Sequence, residues 1–175
     1  MTKYNVIYAD PPWHYPNGLP YETMSFEEIN NLPINHISKD DSVCFLWATT
    51  PYLPQALETL KAWGFEYKTT ITWVKTYANA KGSYFKINTE HLLVGVKGNI
   101  PSFQMKESNI YLSEPTAHSQ KPDYFRSLVS KTAKKVFASP LKLELFARDI
   151  QGVEHESIFK DWHVFGNQVE NSISL

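Results

Sequence analysis

Apolar residues along this chain fall into short blocks separated by polar punctuation. Val6 to Ala9 is apolar and rich in strand formers, which predicts a buried strand of the parallel type. Ser42 to Ala48 predicts a second such strand, and Tyr67 to Lys75, rich in Thr, Ile, Trp and Val, a third. Glu90 to Val96 and Leu141 to Ala147 predict two more. Between the second and third, Pro51 to Trp63 places Leu53, Ala56, Leu57, Leu60 and Trp63 near helical spacing, and Gly64 ends the helix. Pro54 is tolerated there because it falls in the first turn. Ser25, with Glu28 three residues on, predicts a capping box and a short helix to about Leu32. Lys97 to Ser119 reads as an irregular, Pro-containing flap. Alternating strands and helices predict one α/β domain, a doubly wound sheet with helices on both faces.

The first strand ends on Asp10-Pro11-Pro12-Trp13. Neither proline has an N–H to continue a ladder, so the strand stops at Asp10, its carboxyl end. In open α/β sheets ligands bind at that end. A carboxylate, carbonyls set by prolines with φ of about −65°, and a flat indole suit a planar amino group. The carboxylate and a backbone carbonyl each accept one N–H, and their negative charge favours the developing cationic amine. Trp13 offers a stacking face. The same four residues also fit a plain strand end followed by a Pro-Pro turn. The loop that follows, His14 to Tyr21, holds Pro16, Asn17, Gly18 and Pro20 and sits where a substrate lid would.

The chain has 175 residues, 42% hydrophobic and 14% aromatic, as expected of a globular protein with a sizeable core. No run approaches a membrane span, and the start lacks a signal-peptide pattern, so the expected setting is cytoplasmic, without membrane contact. Cys44 lies in an apolar run and reads as a reduced core residue. With one Cys and scattered His, no metal site is expected. A net charge of −1 excludes a protein that coats nucleic acid by charge alone. The distribution changes that picture. Residues 75–142 carry eleven Lys/Arg against four Asp/Glu, while residues 1–74 carry four against eight and residues 143–175 two against six. A basic middle between acidic ends fits either a phosphate-docking surface or an ordinary solvated face. Within it, Lys75, Tyr77, Lys81, Tyr84 and Phe85 interleave cations and rings, a pattern suited to a nucleic acid strand or to an exposed loop.

Asp10-Pro11-Pro12-Trp13 resembles the catalytic motif of the DPPW-type adenine-N6 methyltransferases, relatives of the catalytic subunit of eukaryotic messenger-RNA adenosine methyltransferase. Further blocks follow in the same order: Leu19 to Met24, Cys44 to Trp47, Ile71 to Thr76, Glu90 to Gly98, Ser119 to Asp123, Leu143 to Arg148 and Gly166 to Gln168. The resemblance covers nearly the whole chain. It implies a Rossmann-like S-adenosylmethionine-dependent methyltransferase fold, a mostly parallel sheet with a circularly rearranged motif order. It implies a catalytic set of Asp10, Pro11, Pro12 and Trp13, and acceptor contacts from Trp13, Tyr21, Glu90, Ser119 and Lys121. The implied donor is S-adenosyl-L-methionine, held by Asp10, Pro12, Lys121, Glu144, Phe146, Arg148, Asn167 and Gln168. Within that set, Glu144 alternates with Leu143 and Leu145 on a strand, a placement suited to accepting ribose hydroxyls. The chain departs from the family at Ile150 and Gln151, where relatives carry polar residues that help to hold the ribose.

The implied activity is site-specific methylation of adenine N6 in nucleic acid. A compact chain favours DNA over RNA, and a homodimer or heterodimer would extend the nucleic acid surface. The alternatives are the same reaction on RNA, a non-catalytic subunit of a methyltransferase complex, cytosine N4 methylation, or methylation of a small amine.

Overall fold

The computed structural model describes residues 2–15, 22–77, 81–115, 120–148, 160–167 and 169–175. Tyr21, Ser119 and Gln168 lie outside them, as do residues 16–20, which with Tyr21 make up most of the predicted loop, and the stretch at 149–159. In chain order the described elements are β1 (Tyr4–Ala9), α1 (Phe26–Asn30), α2 (Ile34–Ile37), β2 (Ser38–Thr49), α3 (Leu53–Ala62), β3 (Glu66–Lys75), β4 (Thr89–Lys97), β5 (Ile110–Ser113), α4 (Asp123–Val136), β6 (Lys142–Leu145) and β7 (His163–Phe165).

One sheet holds the strands in the order β5-β3-β4-β2-β1-β6-β7. β1 sits between β2 and β6, parallel to both, with Ile7 opposite Cys44 on one side and Leu143 on the other. β4 runs against both of its neighbours, β2 and β3. That reversal brings the beginning of β4, where Glu90 lies, to the edge at which the parallel strands end.

The strand period of two divides the core between the faces. On β1, Ile7 and Ala9 join Cys44, Leu46 and Leu143 on one face, covered by Ile29, Ile34, Leu60 and Trp63 from α1 to α3. Val6 and Tyr8 join Phe45, Trp47 and Trp73 on the other, covered by Phe125, Val129 and Ala133 of α4. Each of the larger side chains contributes about 1.5–3 kcal/mol by leaving water. Helices therefore cover both faces, as the alternation predicts. The helices after β1 lie on one face and the helix before β6 on the other. The crevice between the ends of β1 and β6 is thus the switch point where such sheets bind ligands.

Local chemistry accounts for the element ends. Ser25 caps α1, its hydroxyl accepting from the Glu28 amide at 3.2 Å while the Glu28 carboxylate accepts from the Ser25 amide at 2.7 Å. Gly64 follows α3 at φ 86°, a conformation that only glycine adopts without strain. Cys44 is buried and unpaired, and burial raises its thiol pKa.

Three expectations need correction. Leu57 is exposed; the buried face of α3 is Ala56, Thr59 and Leu60, so the apolar stripe is narrower than the leucine spacing implies. The stretch 97–119 is not wholly irregular, because Ile110–Ser113 adds β5 alongside β3. β6 stops at Leu145, and Phe146 turns to φ 62°, a left-handed conformation that a bulky side chain adopts only where its surroundings enforce it.

Candidate active site

Asp10 stands at the end of β1, where its amide still reaches the Leu145 carbonyl at 3.5 Å. The two prolines then fold the chain tightly. Trp13 N–H donates to the Pro11 carbonyl at 2.9 Å, and Met24 N–H donates to the Pro12 carbonyl at 2.9 Å, so the far side of the loop is pinned back on the motif. Each carbonyl keeps its second lone pair.

Trp13 is buried. Its indole N–H donates to the Trp47 carbonyl at 3.1 Å, and its ring lies parallel to Tyr52 at 5.9 Å. Tyr52 thus covers one face of the Trp13 ring. What Trp13 gives the cleft is part of a wall, together with Tyr15, whose hydroxyl is 2.7 Å from Thr49 Oγ1 and whose ring meets Tyr52 edge-on.

Asp10 Oδ2 accepts from Lys121 Nζ at 2.8 Å, and the same ammonium lies 3.1 Å from Glu90 Oε2. Glu90 Oε1 is bound in turn by Lys75. Four charges alternate: Asp10, Lys121, Glu90, Lys75. Each ammonium also lies over an indole, Lys121 at 5.3 Å from the Trp47 ring centre and Lys75 at 4.8 Å from that of Trp73. Among the described residues no hydrogen bond engages Asp10 Oδ1. The carboxylate is 31% exposed, against 10% for Glu90, so of the two it is the one able to meet a ligand.

Burial alone would raise the pKa of Glu90, but Lys121 and Lys75 outweigh it and hold the carboxyl below its ordinary value. Burial alone would lower the pKa of Lys121, but Asp10 and Glu90 outweigh that and hold the ammonium above its ordinary value. Both groups are therefore charged at neutral pH, and the linkage has opposite signs at the two ends. The stabilisation from Glu90 is complete above the ordinary glutamate pKa of about 4.3 and is lost as pH falls through the lower folded value. That from Lys121 is complete below about 10.4 and is lost as pH rises through the higher folded value. Thermal melts of the wild type and Glu90→Gln are expected to differ most at neutral pH and to draw together as pH falls below about 4.3 and through the lowered value of folded Glu90. A gap that stays constant with pH would contradict the ion-pair reading.

The cleft above these residues holds about 570 Å³, counting its open mouth. Asp10, Glu90, Lys121 and Arg148 supply its charged lining, and Pro11, Trp13, Tyr15 and Trp47 its apolar and aromatic lining. Arg148 follows β6, and exposed Asn167 follows β7, so the ends of β1, β6 and β7 carry candidate ligand groups along one edge. At Gly166 a Cβ would come within 2.3 Å of the Ala147 carbonyl oxygen, so the bare backbone there is what lets the ends of β6 and β7 approach. Phe146 packs against the core on the α3 side rather than lining this cleft.

Glu144 is a correction. It is buried, and both of its oxygens are taken by Arg126 of α4, Nε to Oε2 at 2.7 Å and Nη2 to Oε1 at 2.8 Å. It faces the α4 side with Tyr8, its partner across the ladder, and not the crevice. Burial raises its pKa, and Arg126 only partly offsets that. An alternating strand pattern reveals that a residue points away from its neighbours, but not what meets it there. Sequence reasoning also misses Tyr15 in the cleft wall, the pairing of Lys75 with Glu90, and Arg126, which meets Glu144 away from the cleft. Lys75 has a signal, a cation ending an otherwise apolar strand within a matched block; Arg126 has none.

A family model described as MT-A70 matches residues 4–168. The chain is 32% identical over 178 residues to the human N(6)-adenosine-methyltransferase catalytic subunit METTL3, an alignment covering 97% of this chain and 29% of that protein. It is 31% identical to the N(6)-adenosine-methyltransferase MT-A70-like protein of Drosophila melanogaster, over 97% of this chain and 28% of that one. It is 32% identical over 175 residues to the type II methyltransferase M.MunI of a Mycoplasma species, over 84% of this chain and 73% of that protein. The chain thus spans less than a third of the length of these two animal relatives.

Proposed function

The chain belongs to the MT-A70 family and carries its Rossmann-like methyltransferase sheet, and from that premise we propose that it methylates the N6 amino group of adenine in DNA, with S-adenosylmethionine as donor. The observation that carries this reading is the meeting of Asp10 with Lys121 and Glu90 in one cleft at the switch point of the sheet.

An exocyclic amine is a weak nucleophile because its lone pair is delocalised into the ring. In this reading Asp10 accepts one amino hydrogen through its open oxygen, and the Pro11 carbonyl accepts the other through its second lone pair. Both orient the nitrogen lone pair and stabilise the positive charge that builds on it. Trp13 and Tyr15 wall the base, and Lys121, held by two carboxylates, sets the position of Asp10. S-adenosylmethionine, when bound, supplies an electrophilic methyl on a sulfonium. The groups present suit such a donor: the cations Lys121 and Arg148 match a carboxylate, and the Asn167 amide matches a ribose or adenine edge. With Glu144 engaged by Arg126, exposed Asn167 beyond β7 is a candidate to meet the ribose. Alignment of donor carbon and acceptor nitrogen in the cleft would supply much of the rate. A base in a duplex must first be extruded to enter it.

One relative whose length the chain largely spans is a type II methyltransferase, which favours DNA. The names of the animal relatives specify adenosine, which favours RNA as the second reading. Incubation with labelled donor and sequence-matched DNA and RNA oligonucleotides, followed by nucleoside mass spectrometry, separates them. The expected product is N6-methyldeoxyadenosine. Label on the ribonucleoside alone would move the assignment to RNA, and label on neither would overturn it.

A further inference from the structure

The connection between β3 and β4 leaves the sheet at the edge where the cleft lies. It departs from Lys75 and returns at Thr89, one residue before Glu90, so its two feet flank the Lys75–Glu90 ion pair. The Lys75 amide donates to the Asn88 carbonyl at 2.8 Å, which closes the base. Farther out, the Ile87 amide donates to the Lys81 carbonyl at 3.1 Å. Gly82 permits the tight turn between them, because a Cβ there would meet the Phe85 carbonyl oxygen at 1.9 Å.

This turn holds its rings outward. Tyr84 is 97% exposed and Phe85 86%. Large rings so fully in water on one short turn are uncommon on a surface with no partner. Lys81 and Lys86 flank them, and no Asp or Glu occurs between Lys75 and Asn88. In a chain of net charge −1, that local sign selects an anionic partner. Rings and cations together, without carboxylates, match the two chemistries of a nucleic acid strand: bases stack, phosphates pair.

We infer that the turn at residues 81–87 is a docking platform for the strand that flanks the acceptor adenine, with Tyr84 and Phe85 stacking on neighbouring bases and Lys81 and Lys86 meeting phosphates. The inference rests on the proposed reaction for the identity of the substrate, and it adds a surface outside the catalytic cleft. It accounts for how the domain retains a nucleic acid while one base is turned into the site.

The test uses the whole protein and a labelled single-stranded DNA of about 12 nucleotides with one central adenine, within the range such surfaces occupy. By fluorescence anisotropy, Tyr84→Ala and Phe85→Ala are each expected to weaken binding about tenfold, which corresponds to about 1.4 kcal/mol. KM for the oligonucleotide should rise, while kcat at saturation stays at the wild-type value. Lys81→Met with Lys86→Met should flatten the dependence of log affinity on log salt by about 0.7 for each phosphate no longer neutralised. Unchanged affinity and KM in the ring variants would overturn the platform. So would a ring variant that keeps its affinity but turns a dimer into a monomer by sedimentation, since the rings would then belong to a second copy. The proposed reaction fails separately, if the wild type binds the oligonucleotide but transfers no methyl to it.

Discussion

Asp10→Asn is expected to slow methyl transfer by about a hundredfold to a thousandfold while leaving donor affinity near that of the wild type. The substitution keeps the size and planarity of the side chain but replaces an anion with a neutral amide. Half of that amide donates hydrogen bonds, so it opposes the amino hydrogens where a carboxylate oxygen accepted them. The loss falls on the step in which nitrogen becomes positive, because only there is the carboxylate charge worth more than in the ground state. Lys121 keeps Glu90 as a partner at 3.1 Å, so the cleft is expected to hold its shape. Single-turnover rates with labelled donor, beside a calorimetric titration of donor, separate the two effects. A variant with the wild-type rate would remove Asp10 from the chemistry. A variant that loses donor binding as well would make it a donor ligand first.

Arg126→Met is expected to reduce folding stability by about 3–5 kcal/mol, the range for leaving a buried charge without its partner. Glu144 is 7% exposed, lies on β6 beside β1, and relies on Arg126 for hydrogen bonds to both oxygens. Urea unfolding measures the change, and adding Glu144→Gln to the arginine variant should recover a large part of it. The pair discriminates between two roles for Glu144. If it is an internal brace between α4 and the sheet, Glu144→Gln lowers stability and leaves donor affinity nearly unchanged. If it reached the donor ribose, Glu144→Gln would weaken donor binding with little effect on the unfolding midpoint.

The two cases mark what the sequence makes legible. Asp10 is readable because the prolines after it force a strand to end, and strand ends in open α/β sheets are where ligands lie. The capping box at Ser25 and Glu28 and the glycine after α3 are readable for the same reason: each is a local device whose residues act on their own backbone. Lys121 becomes a site residue only through resemblance, since the 111 positions that separate it from Asp10 carry no pattern linking them. The direction of β4 is equally hidden. An apolar run does not say which way it will run, yet it is this reversal that delivers Glu90 to the cleft. Trp13 and Glu144 are residue types that suit ligands, and type is all that a sequence offers at those positions. The fold supplies Trp13 with Tyr52 on one face and Glu144 with Arg126 at both oxygens, partners 39 and 18 positions away by their residue numbers.

The most direct measurement is a structure of the protein bound to S-adenosylhomocysteine and an adenine-containing oligonucleotide. The expected result places the adenine N6 within about 2.6–3.2 Å of an Asp10 carboxylate oxygen, with the cofactor sulfur facing the same nitrogen. An adenine amine seated away from Asp10, or a cofactor lying outside the crevice between β1 and β6, would contradict the account.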